Sequence, residues 1–267
     1  MTAPAPDPAP PRATAPAHPR RGVVAAAVLL VVVVIGTGAV QLFSQIVSGT
    51  IESTSVLTPL ADRFTVDTDA DLTVVPSTDG QVRVHTVVRH GLGQPDLVEE
   101  STPAGVRLDV RCNAMLTSRC DVAYTVELPP SFEVVVSGMT GDVTARGLTG
   151  PVRIDRGSGD IALFDVNGPV DVTSITGEIT AMGLGSDTVR AESITGDVRL
   201  ELLQPPQSVQ VDATSGEVDV IVPAGAGYRV SAWTRSGERA VTVPVDPSSP
   251  RMITVDGGSG DVRLHTG

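Results

Sequence analysis

Beyond residue 50 the chain alternates apolar and polar positions in short runs broken by Gly, Pro, Ser, Thr and Asp. Residues 170–173 (Val-Asp-Val-Thr) and 209–213 (Val-Gln-Val-Asp-Ala) show the period-two pattern of a half-buried strand. Residues 71–75, 81–87, 106–111 and 122–128 read the same way, and Pro129-Pro130 closes the last of these with a turn. No helix of ordinary length is predicted there. One stretch differs: residues 22–40 are almost wholly apolar, and no charge occurs between Arg21 and Glu52.

The strand pattern repeats. Ser/Thr-Gly-Asp/Glu occurs seven times beyond residue 138, with its glycines at Gly141, Gly159, Gly177, Gly196, Gly216, Gly237 and Gly260. The acidic partners are Asp142, Asp160, Glu178, Asp197, Glu217, Glu238 and Asp261, at spacings of 18, 18, 19, 20, 21 and 23 residues. A β-branched residue follows in every copy except the sixth, where Arg239 stands. A second turn lies at half the period, first as Thr149-Gly150-Pro151 and Asn167-Gly168-Pro169, finally as a longer segment ending in Pro250.

Each repeat is therefore a rung of two strands and two turns. Glycine supplies backbone angles that a side chain would forbid, and Ser, Thr and Asp can bond a turn's own amides. One rung cannot bury its apolar face alone, whereas stacked rungs share a continuous interior. The fold class is all-β: a two-sheeted, β-helix-like solenoid of 18–23-residue rungs, with a β-sandwich-like repeat as the alternative.

The apolar stretch reads as a membrane span. A helix over residues 22–40 would reach roughly 28 Å, about the hydrocarbon thickness. Arg12, Arg20 and Arg21 precede it and no arginine follows before Arg63, so the N-terminus is expected in the cytoplasm and the bulk of the chain outside. The competing reading is a cleaved signal peptide with a small-residue site at Thr37-Gly38-Ala39. The expected organisation is a Pro-rich cytoplasmic tail at 1–21, a transmembrane signal anchor at 22–43, a linker at 44–60 and an extracytoplasmic repeat domain at 61–267.

Composition sharpens this picture. All 19 basic residues are arginines, net charge is −12, and only seven side chains are aromatic. From residue 52 onward 16 arginines face 30 carboxylates, which gives −14. Such a surface excludes nucleic acid as a partner, because binding a phosphate backbone needs clustered basic residues. Cys112 and Cys120 enclose a seven-residue loop between two strand-like runs. In an oxidising compartment the expected state is a disulfide across a hairpin, with two buried thiols as the alternative.

Residues 122–130, Val134-Val135-Val136 and the Ser/Thr-Gly-Asp-Val repeats together resemble a bacterial adhesin-like domain of unknown function, over roughly residues 60–265. That resemblance implies an all-β, solenoid-like fold behind a membrane anchor in the cell envelope. The family assigns no catalytic residues, so none is carried over.

Candidate chemistry is sparse. His85, His90 and His265 belong to no metal-ligand or hydrolase motif, so neither a catalytic residue nor a cofactor is assigned. Stacking would align the seven acidic residues along one edge, about 4.8 Å apart. Two readings of that edge stay open: turn chemistry with a water-facing surface, which is preferred, or a site for calcium or another cationic ligand. Residues 257–265 resemble a calcium-binding nonapeptide only superficially, since Asp261 falls one place early and so faces the other side of a strand. A polysaccharide-active enzyme would need two carboxyls about 5–10 Å apart. A column offers that spacing by default, but Tyr124, Phe132, Phe164, Tyr228 and Trp233 read as core or cap residues rather than sugar platforms.

The expected function is a single-pass envelope protein presenting a rigid, acidic, non-catalytic module for interaction, adhesion or scaffolding. Its partners would be the cytoplasmic membrane, through 22–43, and an envelope protein or polymer. The alternative is an accessory sensor that signals through its short tail. No C-terminal cap is evident, because the chain stops five residues after Val262.

Overall fold

The computed structural model describes residues 49–58, 61–90, 96–102, 105–111 and 120–267. They belong to one compact unit spanning 48–267. Its first strands in chain order are β1 (Gly49–Leu57), β2 (Arg63–Asp67), β3 (Asp71–Pro76), β4 (Val82–His90), β5 (Asp96–Thr102), β6 (Gly105–Arg111) and β7 (Cys120–Leu128). Paired rung strands follow: β8 (Glu133–Gly138) with β9 (Val143–Arg146), β10 (Val152–Ser158) with β11 (Ile161–Phe164), and β12 (Val170–Thr176) with β13 (Ile179–Leu184). The remaining pairs are β14 (Thr188–Thr195) with β15 (Val198–Leu202), β16 (Ser208–Ser215) with β17 (Val218–Val222), β18 (Arg229–Ser236) with β19 (Arg239–Val241), and β20 (Met252–Ser259) with β21 (Val262–Thr266).

From β7 onward successive strands alternate between two sheets, while β5 and β6 pair antiparallel in a sheet of their own. The eight-stranded sheet runs β18-β20-β16-β14-β12-β10-β8-β2, and every neighbour in it is parallel. The eleven-stranded sheet runs β1-β4-β7-β3-β9-β11-β13-β15-β17-β21-β19. It is parallel from β7 to β19 and antiparallel where β4 joins β7 and β1 joins β4. Parallel stacking of consecutive rungs is what separates a solenoid from a sandwich of antiparallel hairpins.

Register keeps like residues at like heights. Val152, Val170, Val189, Val209 and Ile253 align across one sheet. Val143, Ile161, Ile179, Val198, Val218 and Val262 align across the other. All of these are buried and form one continuous apolar core. Each fully buried aliphatic side chain contributes roughly 1.5–3 kcal/mol, so the interior is held by many small residues rather than a few large ones.

Two features depart from the sequence reading. The segment expected to be a linker at 44–60 contributes β1, which pairs with β4 along its whole length. In addition, the rungs do not stack in chain order at the C-terminal end. β20 lies between β16 and β18, and β21 lies between β17 and β19. The last rung in sequence is thus internal, and the rung before it closes the stack. The segment ending at Pro250 is long because it must carry the chain back past that rung. Among the described residues no helix is long and apolar enough to cross a membrane. The tail at 1–21 and the expected span at 22–43 lie outside them.

Candidate functional site

The seven glycine corners do stack, and they have an eighth member. Ala70, just before β3, and Asp71, its first residue, occupy the first corner, below Gly141 and Asp142. A Cβ on Gly159 would meet the Gly141 carbonyl oxygen at 2.3 Å, and the same collision recurs upward through Gly177, Gly196, Gly216, Gly260 and Gly237. Their φ values of 125–141° lie in a region that side chains rarely adopt. Ala70 tolerates a methyl group because this first corner has no glycine corner beneath it. The signal missed in the sequence was an Ala-Asp pair 71 residues upstream, displaced by the insertion of β4 to β7.

The acidic column is tied into this stack. The Oδ1 atoms of Asp71, Asp142 and Asp160 accept the backbone N–H of the next corner's acidic residue, at 2.9 Å in each case. Asp197 does the same for Glu217 at 2.8 Å, and Asp261 for Glu238 at 2.9 Å. The two internal glutamates turn elsewhere, since an extra methylene carries the carboxylate past the amide. Glu178 accepts from the Thr180 hydroxyl at 2.6 Å, and Glu217 from Arg263 Nη1 at 2.8 Å. Arg263 also reaches Asp261, so part of the column's charge is balanced locally. Among the described residues no group of three or more His, Cys, Asp or Glu side chains converges as a cation would require.

One buried cation sits behind the corner. Arg156 takes the third inward position of β10, following Val152 and Ile154, and is fully buried. Its Nη1 donates to the Thr68 and Thr140 carbonyl oxygens, while Nε and Nη2 have no partner among the described residues. Burial pushes the guanidinium below its ordinary range, against the pull of Asp69, Asp67, Asp71 and Asp142. Gly138, its register partner on β8, makes the room: a Cβ there would lie 2.2 Å from Arg156 Nη1.

The other candidates are dispersed. His85 on β4 bonds the Thr54 hydroxyl at 2.9 Å, and His265 on β21 bonds Asp219 at 3.0 Å. His90 pairs in register with Cys120 at the start of β7. Cys112, and with it the expected Cys112–Cys120 disulfide, lies outside the described residues. Phe64, Tyr124, Phe132 and Tyr228 are core residues, whereas Arg146 covers the ring of Phe164 at 4.8 Å.

The outer face of the eight-stranded sheet is different in character. Met139, Ile175 and Ile194 point outward along one row with 66%, 47% and 51% of their surface exposed. Ile175 and Ile194 are neighbours on β12 and β14, and Met139 lies against Gly157, where a Cβ would meet its carbonyl oxygen at 2.7 Å and its Cε at 3.2 Å. The row continues through Thr214 to Gly258 and ends at Arg235 on the closing rung. There Trp233, 50% exposed, stands beside Asp256 and walls a groove of about 360 Å³.

Comparison with known proteins agrees with this architecture. The match to the family described as Toastrack DUF4097 spans residues 48–265. A solved structure described as a "putative adhesin" from Bacteroides fragilis is 12% identical, covers 82% of this chain and 97% of its own, and superposes with a TM-score of 0.51. Another so described, from Parabacteroides distasonis, has the same identity and coverage with a TM-score of 0.41. At these identities the likeness extends to the fold. No curated protein matches the chain.

Proposed function

Since the chain belongs to the Toastrack DUF4097 family, we propose that it is a non-catalytic interaction module, held outside the cytoplasmic membrane by an anchor at residues 22–43. One observation carries this reading: the residues that repeat most regularly are engaged in the architecture itself. The glycines permit close stacking and the aspartates bond the neighbouring amides, which leaves the column without a pair of carboxyls poised for acid–base work. The surface left for a partner is the outer face of the eight-stranded sheet, where large apolar side chains stand in a row between acidic edges.

Photo-crosslinkers placed at Ile175 and Ile194 in the native cells test the proposal. A discrete envelope adduct, absent when the crosslinker stands at the distant Val56, is the expected result. Equal labelling at all three positions would remove the outer face from consideration. Turnover of any wall glycan by the purified chain would overturn the non-catalytic reading.

A further inference from the structure

The groove on the closing rung has a built chemistry of its own. Trp233 on β18 and Asp256 on β20 are register partners, side by side on the outer face. Two residues further along, Arg235 and Gly258 are neighbours in the next row, with Thr214 of β16 beyond them. Gly258 lines the groove, and a Cβ there would lie 2.3 Å from the Thr214 carbonyl oxygen, so β16 and β20 approach too closely at this point for a side chain. Some charged side chains on this face are paired, as in Arg153 with Asp171 and Arg190 with Glu192. Arg235 and Asp256 make no ion pair or hydrogen bond among the described residues.

We propose that this groove is a subsite for a neutral pyranose unit of a polysaccharide. An indole face is electron-rich, and the axial C–H bonds of a pyranose present a weakly positive, apolar face that stacks against it. A carboxylate and a guanidinium beside the ring can each engage two vicinal hydroxyls, the carboxylate as acceptor and the guanidinium as donor. One negative and one positive group leave the groove locally balanced, while the −14 of the surrounding chain repels anionic polymers. Its volume falls within the ~300–1,000 Å³ of small-ligand clefts. The groove lies on an exposed sheet face and is not an enclosed cavity, so a unit within a chain fits as well as a free sugar. This inference extends the interaction reading to the far end of the row that begins at Met139, Ile175 and Ile194. Failure here would leave the crosslinking result at Ile175 and Ile194 untouched.

Trp233 is the single tryptophan of the chain, so its emission reports on this site alone. The purified full-length chain in detergent is titrated with neutral oligosaccharides (cello-, malto-, manno- and N-acetylchito-series), and with tetramethylammonium and galacturonate oligomers. The expected result is a saturable change in emission with at least one neutral series. Asp256→Asn and Arg235→Gln should each weaken that binding by about tenfold, which corresponds to ~1.4 kcal/mol. Calorimetry should show its loss in Trp233→Ala, with the melting temperature unchanged because Trp233 is half exposed. No response to any neutral series up to about 10 mM, a range that still registers weak single-subsite affinities, would overturn the proposal. So would a response confined to tetramethylammonium or galacturonate, or sugar binding that survives all three substitutions.

Discussion

A Cβ placed on Gly177 would lie 2.1 Å from the carbonyl oxygen of Gly159. The contact is backbone against backbone, so no rotamer change can relieve it, and the φ of 138° adds a second penalty. Gly177→Ala should therefore cost about 3 kcal/mol or more, read from chemical denaturation. Ala70→Gly, at the end of the same column, should cost less than about 1 kcal/mol. Similar losses for the two would mean that the corners do not bear on one another.

The aspartates of the column act as caps for the neighbouring amide. Asp160→Ala should destabilise by ~1 kcal/mol, the usual size of a lost side-chain acceptor at a backbone N–H. Asp160→Asn, which keeps an acceptor oxygen, should lose at most a few tenths. Millimolar calcium should leave the melting temperature of the chain unchanged, since a ligand of the native state would raise it. A rise that disappears in Asp160→Asn would restore the cation reading of this edge.

Arg156 and Gly138 form a pair of unequal importance. Arg156→Met removes a buried charge with two unpartnered nitrogens, and its stability should stay within about 1 kcal/mol of the parent. Gly138→Ala drives a methyl group into the Thr68 carbonyl and the guanidinium, and should lose ~3 kcal/mol. The double variant should recover only part of that loss, because the Thr68 oxygen remains in the way.

The turn after β19 links stability to pH. The Ser248 hydroxyl and backbone N–H both donate to Asp246 and hold its carboxyl below the ordinary range. Its contribution is therefore complete above the unfolded-state value and fades as pH falls through the lower, folded value. Asp246→Asn should weaken the acid dependence of unfolding and leave the neutral-to-alkaline limb unchanged. An unaltered acid limb would show that this turn is not coupled to folding.

Rung order gives the most demanding prediction. Deleting residues 251–267 should remove amide protection from β18 and β19 as well, because both reach the stack only through β20 and β21. Protection of β10 to β15 should persist. If β18 and β19 stay protected, they have docked directly on β16 and β17.

Much of this architecture is legible in the chain. The period-two runs, the seven glycine corners and the half-period turns follow from backbone sterics that act locally. The closing order at the end is set by long-range pairing, and its traces were faint. Arg239 breaks the β-branched pattern because its rung is terminal, and the last spacing stretches to 23 residues because the chain must double back. Arg156 sits at an inward position of a plain alternation, where only the register with Gly138 explains it. Trp233 reads as a core residue from its neighbours, and becomes a surface residue because the outer face of β18 has nothing packed over it.

Because residues 252–266 slot beneath a rung made earlier in the chain, synthesis cannot finish this stack from one end to the other. The ribosome must deliver β20 and β21 before β18 and β19 have anything to rest on. The Trp233 groove, built across three rungs whose order in the stack differs from their order in the chain, then comes into being last of all. A chain truncated or clipped before β20 would keep most of its core and still lack that groove, which makes the groove a marker that β20 is in place.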